Sequence, residues 1–204
     1  MKKLLSIAIC IAVILSLTSC TEVKRIGSGL WGFVDRDIEN YEKKRLDTDY
    51  ASDYMPTLGE LGDYTDASYS YQYTTMILFE SKAISLLVEY SDAHYGDKKN
   101  EILSSYVFLE ETMLSAGGEN YQSAPASFEY GGYNFRTSAD LEFPNYESCA
   151  CKSFALIGFN DDKNRIAFCY YYDADLDTFG STSQSEKAMI TEFIDDYFDW
   201  NDLP

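Results

Sequence analysis

The chain has 204 residues, a length that suits one domain, and carries 34 acidic against 16 basic residues for a net charge of −18. A surface this acidic repels phosphate backbones, which excludes nucleic acid as an expected partner, and it attracts cations or basic protein surfaces. Its 18 Tyr, 12 Phe and 2 Trp read first as half-buried sheet faces, although a protein or carbohydrate contact surface has the same composition.

The first residues have the layout of an export signal: Lys2 and Lys3, then an apolar run over 4–17 interrupted only by Ser6 and Ser16. That run is shorter than the roughly 20 apolar residues of a transmembrane helix, and it ends in small polar residues. It closes on Leu17-Thr18-Ser19-Cys20, an aliphatic residue, two small residues and a cysteine. This segment resembles the signal peptides of bacterial lipoproteins. The resemblance covers residues 1–20 only. It implies diacylglyceryl attachment to the Cys20 sulfur, cleavage between Ser19 and Cys20, and an extracytoplasmic place at the cell membrane or cell surface. Two or more acyl chains hold a protein firmly at a bilayer, where one chain is marginal. The expected organisation is a signal peptide over 1–19, a tether over 20–34 and a single α+β domain over 35–204. Cleavage removes Lys2 and Lys3 and leaves 185 residues with a net charge of −20. Anionic headgroups repel such a domain, which is expected to stand off the membrane.

Residues 21–32 contain Gly and Ser and lack periodicity. In 35–46, Ile38 and Tyr41 fall on one side of a short helix, and 47–66, with Pro56, Gly59, Gly62 and many acids, reads as irregular. From Ala67 the period becomes two. Tyr69, Tyr71 and Tyr73 alternate with Ser70, Gln72 and Thr74, as in a strand with one exposed face. Apolar runs at 76–79 and 83–90, on either side of Glu80-Ser81-Lys82, predict a β-hairpin. A helix of about 20 residues is expected next, N-capped by Asp97 after Gly96 and stopped by Gly117-Gly118. Its stripe is Ile102, Tyr106, Leu109 and Met113.

Gly131-Gly132 between Phe128-Glu129-Tyr130 and Tyr133-Asn134-Phe135 is a two-residue hairpin signal. A second hairpin is predicted from 152–159 and 165–173 around Asn160-Asp161-Asp162-Lys163-Asn164. Phe154, Leu156, Ile166, Phe168 and Tyr170 are expected to share its buried face. Ser183 and Glu186 are spaced as a capping box for a last helix with Ile190, Phe193, Ile194 and Tyr197 inside. The order of elements predicts an α+β fold: a mainly antiparallel β-sheet with helices packed on it, in two layers.

Candidate sites are few. Cys149, Cys151 and Cys169 are soft potential metal ligands, but a turn centred on Asp162 sets Cys169 opposite Ala155, about 13 Å from Cys151, so they read as small buried residues. Asp173, Asp175 and Asp177 match the first half of an EF-hand calcium loop, a weak candidate, because Thr178 stands where glycine is required and Gln184 where glutamate should close the loop. His94, the sole histidine, reads as an exposed loop residue. Asp195, Asp196, Asp199 and Asp202 crowd the end of the last helix, where negative charge opposes the helix dipole. No catalytic residue set and no cofactor is assigned. The expected role is a membrane-anchored binding or interaction module, held through lipid on Cys20 and contacting protein or carbohydrate. The alternatives are a cell-envelope hydrolase with paired carboxylates, such as Glu110 with Glu111 or Asp173 with Asp175, and a calcium-dependent surface module.

Overall fold

Tyrosines alternating with small polar residues do produce a strand, which turns back on an equally long partner to make the centre of the protein. The computed structural model describes residues 21–26, 30–76, 79–114, 123–139 and 152–173, together with Ile194 and Phe198. In chain order the strands are β1 (Thr21–Ile26), β2 (Leu30–Asp35), β3 (Asp66–Met76), β4 (Phe79–Glu89), β5 (Met113–Leu114), β6 (Ser123–Ala124), β7 (Ser127–Tyr130), β8 (Tyr133–Thr137), β9 (Lys152–Asn160) and β10 (Arg165–Asp173). The helices are α1 (Tyr41–Asp47), the single turn α2 (Ala51–Tyr54) and α3 (Asp92–Ser105), with 3-10 turns at Ile38–Asn40 and Leu58–Leu61. Eight strands form one antiparallel sheet in the order β1-β2-β3-β4-β10-β9-β8-β7, and β5 pairs with β6 apart from it. The fold is α+β, as the order of elements predicts.

One face of the sheet is aromatic and carries the helices. Tyr69 pairs with Leu86, Leu86 with Phe168, and Phe168 with Ile157, so these side chains share that face across four strands. Tyr41 of α1 meets Tyr69 edge-on at 5.6 Å, and Tyr54 of α2 stacks on Tyr170 at 5.4 Å between ring centres. Lys44 lies over the rings of Phe33 and Tyr71. Such contacts add to an area burial that stabilises by about 1.5–3 kcal/mol per large apolar side chain.

The other face is buried as well. Ser70, Gln72 and Thr74 are each less than 5% exposed, so β3 does not present the open face that its alternation predicts. Opposite the helices lie Phe154, Leu156, Cys169 and Tyr171, all buried, with Phe198 edge-on to Phe154 and accepting from the Ser85 hydroxyl. Phe198 N–H donates to the Ile194 carbonyl, and both side chains are buried. Ser183, Glu186, Ile190, Phe193 and Tyr197 of the expected last helix lie outside the described residues.

Four further expectations are corrected. Across the segment 20–34 expected as a tether, Thr21–Ile26 and Leu30–Asp35 instead pair as the antiparallel strands β1 and β2 at the sheet edge. Val23, Ile26, Trp31, Phe33 and Val34 favour strands, and β3 offers β2 an edge to pair with. β3 runs to Met76, which pairs with Phe79 at the start of the next strand, so Glu80, Ser81 and Lys82 belong to β4 rather than to a turn, and Lys82 bonds Asp49 at 2.8 Å. Helix α3 begins at Asp92 after Ser91, not at Asp97, and stops at Ser105. It stops there because Val107 to Leu109 pair with the sheet instead: Leu109 N–H donates to Thr137 and Ala139 N–H to Val107.

The fourth correction is one of register. Asn160 pairs with Arg165, leaving a four-residue turn in which Asn160 Oδ1 accepts from Lys163 N–H and Asn164 adopts φ 51°. Cys169 therefore faces Leu156 rather than Ala155. Ile166, Phe168 and Tyr170 share a face with Phe159, Ile157 and Ala155, while Phe154 and Leu156 point the other way. A slip of one residue exchanges the two faces of a strand, and here both are apolar. The Gly131-Gly132 hairpin forms as expected, with both glycines at positive φ.

Candidate functional site

Two neighbouring hollows, of about 270 and 200 Å³, lie along α3, and Leu61, Lys98 and Glu101 line both. The larger is floored by Met55, Leu61, Ile102 and Phe168 and rimmed by Asp53, Glu60 and Glu101. Together they form a groove between α3 on one side and the segment from α2 to the Leu58–Leu61 turn on the other.

That second wall has little regular structure, so its backbone carbonyls need partners from elsewhere. Side chains supply them. Tyr41 OH donates to the Pro56 carbonyl at 2.6 Å. Arg45, 9% exposed, donates through Nη1 to the Ser52 and Met55 carbonyls, both at 3.2 Å, and through Nε to Glu42. Glu42 Oε1 in turn accepts from Leu58 N–H at 2.7 Å. From the sheet side Tyr90 OH donates to the Leu61 carbonyl, and from the end of α3 Tyr106 OH donates to that of Tyr54. Burial raises the Tyr41, Tyr90 and Tyr106 hydroxyls above the usual phenol range, so they act as neutral donors.

The Leu58–Leu61 turn is closed by a capping box. Thr57 Oγ1 accepts from Glu60 N–H, and Thr57 N–H donates to Glu60 Oε2 at 2.8 Å. These bonds from Thr57 hold the Glu60 carboxyl below the usual range. Across the groove Lys98 Nζ donates to the Glu60 carbonyl at 2.8 Å and to both Glu101 oxygens at 2.9 and 3.0 Å. The ammonium thus spans the groove where the two hollows meet. Its side chain is only 13% exposed, against 63% for Glu101.

His94 stands at the rim of the smaller hollow, exposed and in the first turn of α3 rather than in a loop, with Nδ1 3.3 Å from the Asp63 carbonyl. Glu110 and Glu111 are exposed beyond α3 and line neither hollow. Asp173 ends β10 opposite Lys152 and Ser81. Asp175, Asp177, Cys20, Cys149, Cys151 and the four aspartates from Asp195 to Asp202 lie outside the described residues. Cys169 is free and buried in the sheet, and burial pushes its thiol far up, which leaves it inert. Among the described residues no group of three or more His, Cys, Asp or Glu side chains is placed to hold a metal ion. No helix among them is long and apolar enough to cross a membrane.

Sequence reasoning missed the groove. Two signals were present: Thr57-Leu58-Gly59-Glu60 has the spacing of a capping box, and Lys98 with Glu101 has helical i, i+3 spacing. Neither says that the two segments face each other. No family model matches this chain, and neither does any curated protein or solved structure.

Proposed function

We propose that this protein is a lipid-anchored extracytoplasmic binding module, held at the membrane through an acylated Cys20, that receives its ligand in the groove along α3. The observation that carries the reading is the construction of the groove wall. Donors from α1, from Tyr90 just after β4 and from Tyr106 at the end of α3 fix five carbonyls between Ser52 and Leu61, so the hollow exists before a ligand arrives. A pre-formed concave site with an apolar floor and a few placed polar groups is the usual form of a binding pocket, and pre-organisation lowers the entropy cost of filling it.

The anchor reading rests on Leu17-Thr18-Ser19-Cys20. Thr21, the residue after that cysteine, already opens β1, so an acyl group on Cys20 holds the β1 edge beside the bilayer with no spacer between. This differs from a domain standing off on a tether. Two measurements test the proposal. Mass spectrometry of the protein recovered from its host membranes is expected to show an N-terminal Cys20 carrying diacylglycerol, and an unmodified thiol or an intact leader would sink the anchor. A photo-crosslinking residue placed at Ser105, in the groove, is expected to capture an adduct in intact cells that the same residue at Glu129, on β7, does not. Equal labelling from both positions would sink the groove.

A further inference from the structure

We infer that the groove takes a basic, extended peptide segment of a partner protein, and that Lys98 fills the ammonium position of that segment until it arrives. The inference rests on the groove being the binding site and names the class of its ligand. Lys98 already demonstrates the chemistry. Its ammonium has three acceptor contacts, one from the Glu60 carbonyl and two from Glu101, and its stem is covered where the hollows join. Any lysine side chain has the same stem and the same head. A partner lysine that displaced Lys98 would lay its methylenes on Leu61 and Ile102 and present its charge to Glu101, while Lys98 swings into water with its own charge solvated.

Shape and charge choose the occupant. The lining of the two hollows follows α3 from His94 to Tyr106 just past its end, about 18 Å at 1.5 Å per residue. That exceeds one side chain and matches about five residues of extended chain at about 3.3 Å each. Asp53, Glu60 and Asp97 lie in the same lining beyond the Lys98 position, so a segment with basic residues at alternate positions meets an acid on either side. The net charge of −18 draws such a segment in.

The test uses the full chain, produced with its leader and purified in a non-ionic detergent. The probe is a fluorescent, end-blocked Ala-Lys-Ala-Lys-Ala peptide, followed by anisotropy at constant salt. Lys98→Ala removes the internal competitor and is expected to bind it about tenfold more tightly than the native chain. Lys98→Met, which keeps the stem but not the ammonium, is expected to gain in the same direction by less. Glu101→Gln is expected to lose about tenfold. The peptide with both lysines acetylated is expected not to bind. Equal binding of the acetylated peptide, or unchanged affinity in both Lys98 variants, overturns the inference. So does binding of n-butylamine as tight as the peptide, since that describes a small-amine site. If the peptide fails while the Ser105 crosslink persists in cells, the ligand class falls and the binding module stands.

Discussion

Residues 41–61 and the β9–β10 hairpin both send buried side chains into the core, yet different bonds hold them. In the hairpin every residue from Lys152 to Asn160 has a partner in β10, and apolar side chains fill both faces. The ladder satisfies the backbone and packing does the rest. In 41–61 the helices are short, the backbone lacks a ladder, and polar side chains reach in to the carbonyls. Tyr41 is as deeply buried as the sheet core, and Arg45 is largely covered, while both serve that backbone. A region built the first way resists loss of a hydrogen bond and suffers from changes of volume. One built the second way suffers most when a donor is removed.

Arg45→Met is the largest break in that comparison. The replacement keeps the apolar stem but strands the Ser52 and Met55 carbonyls and takes away the Nε contact to Glu42. Leaving buried polar groups unpaired costs about 1–3 kcal/mol for each group, more where a charge is involved. Part of that is recovered because Glu42 is 42% exposed and can turn to water. The net expectation is a loss of about 3 kcal/mol in urea unfolding, with faster amide exchange at Leu58, whose N–H bonds Glu42. A loss below about 1 kcal/mol would mean that Arg45 does not hold the groove wall.

Gly158→Ala applies the opposite stress to the hairpin. A Cβ at this position would lie 2.6 Å from Phe135 Cε1 and within 3 Å of two more atoms of the same ring. Phe135 is fully buried and stacked on Phe128 at 5.3 Å, so the ring has little room to yield. Overpacking of this kind costs about 1–3 kcal/mol. The same substitution in a Phe135→Leu background is expected to cost clearly less, because neighbours in contact are not additive. Equal costs in the two backgrounds would assign the penalty to the strand rather than to the ring.

The difference between the two regions also decides what could be read from sequence. β3 and the turns of the β7–β8 and β9–β10 hairpins were legible, because Tyr69-Tyr71-Tyr73, Gly131-Gly132 and Asn160–Asn164 carry periodicity and turn chemistry in their residue types, whereas β1–β2 and the start of β4 were not. The β9–β10 register was not, since a strand apolar on both sides gives no parity by which to choose a face. The end of α3 was misplaced for a related reason. Tyr106, Leu109 and Met113 keep helical spacing, but Phe108 bridges to Ser138 and the sheet edge takes the backbone. The groove was the least legible part. Its wall is defined by carbonyls of Ser52, Tyr54, Met55, Pro56 and Leu61, and a carbonyl belongs to every residue type alike. Only the donors differ, and Tyr41 and Arg45 on α1 are distant along the chain from Tyr90 and Tyr106.

The smallest effect expected is electrostatic and lies at the turn of the hairpin, where it meets α3. Asp161 Oδ1 accepts from Lys99 Nζ at 2.6 Å and from Tyr95 OH at 2.5 Å. These bonds, Lys99 first, hold the Asp161 carboxyl below the usual range. A carboxyl that is more acidic in the folded chain contributes stability in full above its unfolded value, near 4, and loses it as pH falls through the folded value. The side chain is 58% exposed, so solvent screening limits the contribution to about a few tenths of a kcal/mol. Asp161→Asn keeps an oxygen for Tyr95 and removes the charge that Lys99 meets. The native chain is expected to exceed the variant in stability at pH 6 by that small margin, and the gap is expected to close as the pH falls below 4. Half-molar salt should shrink the gap at pH 6, since the pair is exposed. A difference that stays constant from pH 6 to below 4 would place the stabilisation in the hydrogen bond from Tyr95 rather than in the charge, and the hairpin would then be held to α3 by the same neutral-donor bonding that holds the groove wall.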